Sequence, residues 1–301
     1  MGEWIRKKIA QFGKVVSGAT PSTSRGEFWD GNVIWITPND LSKLKTPFIQ
    51  ESERKISDLG LKSCSAHLIP ASNLVMSSRA PIGYFAIVQN SFTTNQGCKS
   101  IIFDKDQNPL FHYYNFLFRI NEFKQKGEGT TFAEISKSVV ENLEFRFPHS
   151  LEEQTAISTI LNTIDQAIEK TEQLIAKYER IKTGLMQDLL TRGIDENGNI
   201  RSEETHEFKD SPLGRIPVEW EVKRLEKLVE PNSPIVYGIL MPGYGYDNGI
   251  PVIKVKDINA DEIDLENLLL TSPEIAGAYE RSKLKEGDLL FTIRGTVGRC
   301  A

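Results

Sequence analysis

The side chains in this chain best suited to chemistry fall in a few polar clusters. Thr37, Asn39 and Asp40 stand with Lys43 and Lys45, and Ser77, Ser78 and Arg79 precede Ala80-Pro81-Ile82-Gly83. Thr93-Thr94-Asn95-Gln96-Gly97 and Gly127-Glu128-Gly129-Thr130-Thr131 are loops rich in small hydrogen-bonding groups. Lys254 and Lys256 beside Asp257, and Thr292 with Arg294, echo the first two clusters late in the chain. These residue types contact phosphate oxygens and read base edges, Arg favouring guanine and Asn or Gln favouring adenine. They also serve structure, since Asn, Asp and Ser close turns and an arginine beside a glycine turn can pair with a carboxylate. The candidates for contacting DNA are Thr37, Asn39, Asp40, Lys43, Lys45, Ser78, Arg79, Asn95, Gln96, Thr130, Thr131, Lys254, Lys256 and Arg294.

Catalytic patterns are missing from the same text. There is no GxxxxGK[ST] phosphate loop, no GxGxxG, no GxSxG elbow and no HExxH. His67, His112, His149 and His206 share no ligand spacing with one another or with a cysteine and read as surface or packing residues. Glu207-Phe208-Lys209 has a nuclease-like Glu-x-Lys spacing, but no partnered Asp on an upstream strand accompanies it. Thr37-Pro38-Asn39-Asp40 resembles an amino-methyltransferase signature in composition only. No cofactor and no metal are expected.

Short strands must position the polar clusters. Val33–Thr37, Asn73–Ser77, Tyr84–Val88 and Lys99–Phe103 are β-branched or aromatic runs bounded by Gly, Pro and Asn signals. A helix is predicted around Asn108–Gln125, where Leu110, Tyr113, Tyr114, Leu117 and Ile120 recur at helical spacing. With no regular alternation of strand and helix, residues 1–149 read as a β-rich α+β domain.

The next segment changes character. Ser150-Leu151-Glu152-Glu153 fits a capping box, and a helical pattern then runs to Arg192 before Gly193. Ile157, Leu161, Ile164, Ile168, Tyr178 and Leu185 follow a coiled-coil-type rhythm, with Leu174 and Ile181 on an adjacent stripe. A stripe this broad implies more than one packing partner. Residues 193–216 are polar and turn-rich and read as a linker.

At residue 217 the text begins again. Setting each residue against the one 216 further on aligns Trp4-Ile5-Arg6-Lys7-Lys8-Ile9 with Trp220-Glu221-Val222-Lys223-Arg224-Leu225. One residue of slippage either way brings Val33–Leu41 onto Ile250–Ile258, and Asn73–Gly83 onto Asp288–Gly298. The unit is far longer than a solenoid repeat, so a domain is duplicated. Measured against the first copy, the stretch 217–301 lacks the counterpart of residues 87–150 and a second long helix. It is expected to be a partial copy, from a truncated gene or an incomplete sequence.

Composition sets the bounds. The chain has 301 residues, 39% hydrophobic and 26% charged, enough for about two globular domains. No apolar run approaches the roughly 18–20 residues of a spanning helix, so no membrane partner is expected. Cys64, Cys98 and Cys300 are too far apart for a disulfide framework, which fits a reducing cytoplasm. The net charge of −5 is uneven: residues 1–150 carry 18 Lys+Arg against 14 Asp+Glu, while both later segments are acidic. A basic local surface, rather than a basic total, is what phosphate neutralisation requires.

In this order of blocks the chain resembles the DNA-specificity subunits of type I restriction–modification systems. The resemblance rests on Trp4 with Lys7-Lys8-Ile9; Gly18-Ala19-Thr20-Pro21-Ser22; Ile34-Trp35-Ile36-Thr37 with Asp40-Leu41; Ser78-Arg79-Ala80-Pro81-Ile82-Gly83; and Thr94-Asn95-Gln96-Gly97. It continues through Gly129-Thr130-Thr131 with Ile135, Pro148 with Glu153-Gln154, and Leu185-Met186-Gln187 before Leu189-Leu190-Thr191. The resemblance implies two target-recognition domains, each reading half of a split double-stranded DNA site, held apart by the helix. It implies that the helix docks methyltransferase (modification) subunits, and that a restriction/translocase subunit joins through the complex. Methylation and cleavage would then reside in those partners, and this chain would be no enzyme. A reading of a different class is a coiled-coil scaffold whose β-rich domains bind protein or carbohydrate.

Overall fold

The structure, a computed structural model, describes residues 3–127, 134–231, 233–244, 246–259 and 262–301. The chain divides into two compact units, residues 1–181 and 182–301.

The first unit runs β1 (Trp4–Lys8), β2 (Gly13–Ser17), β3 (Trp29–Ile36), α1 (Pro38–Ser42), β4 (Phe48–Ile49), β5 (Lys55–Ile56) and α2 (Asp58–Lys62). It continues through β6 (Asn73–Ser77), β7 (Phe85–Val88), β8 (Phe92–Thr94), β9 (Cys98–Phe103), α3 (Pro109–Phe118), α4 (Ile120–Gln125), α5 (Lys137–Asn142) and β10 (Glu144–Pro148). The helix α6 (Leu151–Arg192) then leaves it.

A five-stranded sheet in the order β2-β9-β6-β7-β4 forms the centre, and a three-stranded sheet β5-β3-β8 lies beside it. Successive side chains of a strand face opposite ways, so a strand covered on both faces must be apolar throughout. That is what Leu74–Met76 within β6 and the whole of β7 show. Leu74, Met76, Phe85 and Ile87 enter the core beneath α3–α5, while Val75, Ala86 and Val88 enter the core shared with Ile34, Ile36 and Phe92. A third small core holds Trp29, Trp35 and Ile56.

The helix predicted at Asn108–Gln125 is two helices. Arg119 leaves the helical conformation (φ −107°, ψ 27°) between α3 and α4, which lets Phe116 and Phe123 both reach the core. Apolar periodicity runs through such a kink without registering it.

Strands β1 and β10 pair antiparallel, Trp4 opposite Pro148, which brings the two ends of the first domain together at the root of α6. Ser150 Oγ accepts the Glu153 N–H as expected of the cap, but the Glu153 carboxylate turns to the Trp4 indole N–H (3.2 Å). Ile157 packs against the domain core. Beyond it, Leu161, Ile164, Ile168, Leu174, Tyr178, Ile181 and Leu185 are exposed.

The second unit takes up the last turns of α6, which ends at Gly193 (φ +66°), the left-handed position glycine favours. The segment read as a linker contains a hairpin, β11 (Phe208–Ser211) with β12 (Gly214–Pro217). Its strands, Phe-Lys-Asp-Ser and Gly-Arg-Ile-Pro, are too short and too polar to show a period-two hydrophobic pattern. After it come β13 (Ile250–Val252), β14 (Ile258–Asn259), β15 (Glu262–Ile263), β16 (Leu269–Thr271) and α7 (Pro273–Ala278), with β13 paired to β16 and β14 to β15.

Candidate nucleic-acid interface

Strand ends that are distant in sequence converge on one face of the first unit. The Asn95 N–H donates to the Ile36 carbonyl (3.0 Å), Ala19 N–H to Thr94 (2.9 Å), and Ser78 N–H to Gly97 (2.8 Å). A Cβ on Gly18 would sit 2.1 Å from the Asn95 carbonyl oxygen, so only glycine permits that approach. The clusters at 37–40, 78–79 and 94–97 thus form one surface. Thr130 and Thr131 lie outside the described residues.

Several candidates are built into this frame. The Asp40 carboxylate accepts from the Thr37 N–H (2.8 Å), the Thr37 hydroxyl (2.6 Å) and the Glu53 N–H (2.8 Å), and Asp40 is buried. Ser78 is buried and its Oγ accepts from Lys99 Nζ (3.2 Å). Asn95 Oδ1 accepts from the Gly97 N–H (3.0 Å), closing its own turn. These groups shape the loops. Asn39, Lys43, Lys45, Arg79 and Gln96 face solvent.

The exposed cations are not all free. Glu53 pairs with Lys43 (2.8 Å) and accepts from Asn39 Nδ2 (3.0 Å), and Glu134 pairs with Arg79 (2.9 Å) and Lys99 (3.5 Å). The hydrogen bond that Lys43 Nζ donates to Glu53 raises the pKa of the ammonium above its ordinary value. Burial pushes the Cys98 thiol up, away from the reactive thiolate. Among the described residues no group of three or more His, Cys, Asp and Glu could hold a metal ion. What this surface offers is hydrogen bonding and charge.

The second unit builds the same devices. Asp257 Oδ2 accepts the Lys254 N–H (2.8 Å) as Asp40 Oδ2 accepts that of Thr37. Val33 opposite Ile56 and Ile34 opposite Lys55 recur as Ile250 opposite Thr271 and Pro251 opposite Leu270. Ser57 caps α2 through Gly60 N–H, and Ser272 caps α7 through Ile275 N–H.

The arginine loops agree in detail. Ser77 Oγ donates to the Pro81 carbonyl and accepts from the Tyr84 N–H; Thr292 Oγ1 donates to Thr296 and accepts from the Arg299 N–H. Gly83 (φ +99°) and Gly298 (φ +90°) donate back to the Ser77 and Thr292 carbonyls. Arg79 and Arg294 each stand two residues beyond the hydroxyl and are exposed.

The contacts that dock the helix are not legible in the sequence. Gln154 and Gln107 are buried, Gln154 Nε2 donating to the Pro148 carbonyl (2.9 Å) and Oε1 accepting the Asn108 N–H (2.8 Å). Tyr114 donates to Asp165 Oδ2 (2.8 Å), and burial, then that bond, pushes its phenol up. His112 is a packing residue, its ring stacked with those of Phe12 (4.7 Å) and Phe103 (4.8 Å), with Nε2 on Gln107 Oε1 (2.9 Å).

Residues 1–180 match the family described as the type I restriction modification DNA specificity domain. The chain belongs to that family. Its similarity to curated members includes 36% identity to the MjaIX type I restriction enzyme specificity subunit of Methanocaldococcus jannaschii, over 77% of this chain and 52% of that one. It is 27% identical to the EcoBI specificity subunit of Escherichia coli, over 67% of this chain and 43% of that one. The chain therefore spans about half the length of these relatives. A solved chain from work on complex assembly and conformational transition of the type I R-M system shares the fold, with a TM-score of 0.50 at 18% identity, over 62% of this chain and 44% of that one. The specificity-domain match covers the convergent strand-end face together with residues 151–180 of the helix that leaves it.

Proposed function

We propose that this chain reads double-stranded DNA for a type I restriction–modification assembly. The strand-end face of residues 1–149 contacts one half of a split target, and residues 217–301 carry part of a second reader. Lysines such as Lys43, Lys45, Lys254 and Lys256 hold phosphates, while side chains including Asn39, Arg79, Gln96 and Arg294 face the grooves. Helix α6, 42 residues long and roughly 63 Å at ~1.5 Å per residue, fixes the spacing. Its exposed apolar stripe docks methyltransferase (modification) subunits, and a restriction/translocase subunit joins through the assembly. Methylation and cleavage belong to those partners, in the cytoplasm.

The observation that carries this reading is the twice-built arginine loop, Ser77–Tyr84 and Thr292–Arg299, with the same hydrogen bonds holding an exposed arginine at the same place. Two like sites with a 42-residue helix between them in the sequence suit a bipartite ligand with a fixed gap. The test is selection from a pool of randomised duplexes by the full chain. Enrichment of two sequence blocks at constant separation is expected, with Arg79→Ala and Arg294→Ala each weakening a different block. No enrichment, or Arg79→Ala leaving both blocks intact, contradicts the reading.

A further inference from the structure

Arg54 belongs to none of the clusters noted in the sequence, yet its surroundings single it out. Its guanidinium carbon lies 3.8 Å from the centroid of the Trp29 ring and 5.9 Å from that of Trp35. The two indoles form a fixed platform. They meet edge to face at 5.1 Å, Trp29 Nε1 donates to the Ser22 carbonyl (3.1 Å) and Trp35 Nε1 to the Ala19 carbonyl (3.0 Å). Both tryptophans are buried while Arg54 is exposed.

The nearby carboxylates are engaged elsewhere: Glu27 with Arg25, Glu51 with Lys55, and Glu53 with Lys43. Among the described residues Arg54 makes no ion pair. Its backbone is also held in place, since Asp40 accepts the Glu53 N–H and the Ser52 hydroxyl donates to the Arg54 carbonyl (2.6 Å). Arg54 therefore sits beside the Thr37–Lys43 turn with its charge unneutralised and its plane set by an aromatic face.

Resting on the DNA-reading function above, we propose that Arg54 is a base-reading residue of the first unit, presenting its guanidinium edge to a guanine in the major groove. Stacking lowers the entropy lost on contact and fixes the plane, which a bidentate bond to guanine O6 and N7 demands. A phosphate contact needs only a positive charge within reach, as Lys43 and Lys45 on the neighbouring turn supply. A purely framework role is disfavoured by the second unit. There the pairing of Ile34 with Lys55 recurs as Pro251 with Leu270, which places Leu269 where Arg54 stands, and the turn and cap form without the arginine. The turn and cap repeat, while Arg54 and its platform do not, Val252 standing at the place of Trp35, as two readers of different half-sites require.

The experiment compares full-length wild type, Arg54→Lys and Arg54→Met in selections from one pool of randomised duplexes. Affinity for the wild-type consensus duplex and thermal melting are then measured for each protein. The wild-type motif is expected to contain one G·C position that both variants lose, with affinity reduced roughly tenfold or more and melting unchanged. Arg54→Lys should keep the wild-type salt slope. Variants that select the same motif with unchanged affinity overturn the proposal. So does weakening that is uniform across sequences with a salt slope reduced by about one, which marks a phosphate contact. A wild-type chain that enriches nothing overturns the DNA reading itself, and this assignment with it.

Discussion

The side-chain oxygen of Gln154, in the first turn of the long helix, accepts a hydrogen bond from the backbone N–H of Asn108 at 2.8 Å. Through Nε2 the same side chain donates to the Pro148 carbonyl, so one buried amide joins the root of α6, the cap of α3 and the end of β10. The direction in which the helix leaves the first domain is fixed here.

Gln154→Leu leaves the Asn108 N–H and the Pro148 carbonyl without partners in a buried site. An unsatisfied buried group costs about 1–3 kcal/mol, so a loss of about 2 kcal/mol or more is expected in urea denaturation. An unchanged midpoint would show that the helix root is held by packing alone.

His112 gives the fold an acid limit. Burial lowers its pKa from the ordinary 6.5 to about 3, so between those values the unfolded chain binds a proton that the native chain refuses. Stability is full above pH 6.5 and is lost as pH falls towards 3. His112→Phe keeps an aromatic ring against Phe12 and Phe103 and should flatten the melting temperature across that window. A variant with the wild-type slope would place the acid limit elsewhere.

Asp40→Asn keeps the shape of the turn but replaces one acceptor oxygen with a donor, against three hydrogen bonds that all need acceptors. A cost of about 1–3 kcal/mol is expected, together with weaker DNA binding, because the Glu53–Arg54 segment loses its anchor. Lys43→Ala, exposed and paired only with Glu53, should shift the melt little. Circular-dichroism melts of the two variants, side by side, separate frame from surface.

Much of the frame could be read from the sequence. The predicted strands Asn73–Ser77 and Lys99–Phe103 recur within a residue, because each carries a short apolar run, Leu74–Met76 and Ile101–Phe103, bounded by turn signals. The run at Val33–Thr37 is the end of a longer strand, whose start at Trp29-Asp30-Gly31-Asn32 looks like a turn. The offset of 216 showed the duplication, and the recurring register of Val33–Ile56 and Ile250–Thr271 gives it physical form. Local signals could not show which polar residues are spent on the frame. Asp40 and Ser78 have the same chemistry as their exposed neighbours, and only the fold decides that they are buried. Arg54 was invisible for the opposite reason, since its platform, Trp29 and Trp35, is assembled by strand pairing.

The helix as a spacer makes a quantitative expectation. Four residues inserted in the exposed stretch between Gln173 and Lys177 add about 6 Å, close to one turn, which keeps the face nearly in phase. The gap between the two selected blocks should then widen by roughly two base pairs at ~3.4 Å each. A gap that stays constant contradicts the spacer role.

The central claim is that the strand-end face neutralises phosphates and reads duplex DNA. The most direct measurement is a binding titration of the full chain on its selected duplex, and on one of unrelated sequence, at several salt concentrations. The account predicts that log K falls linearly with log salt, with a slope of about −0.9 for each phosphate neutralised, and that the selected duplex binds more tightly throughout. Binding that is indifferent to salt, or equal for both duplexes, would contradict it.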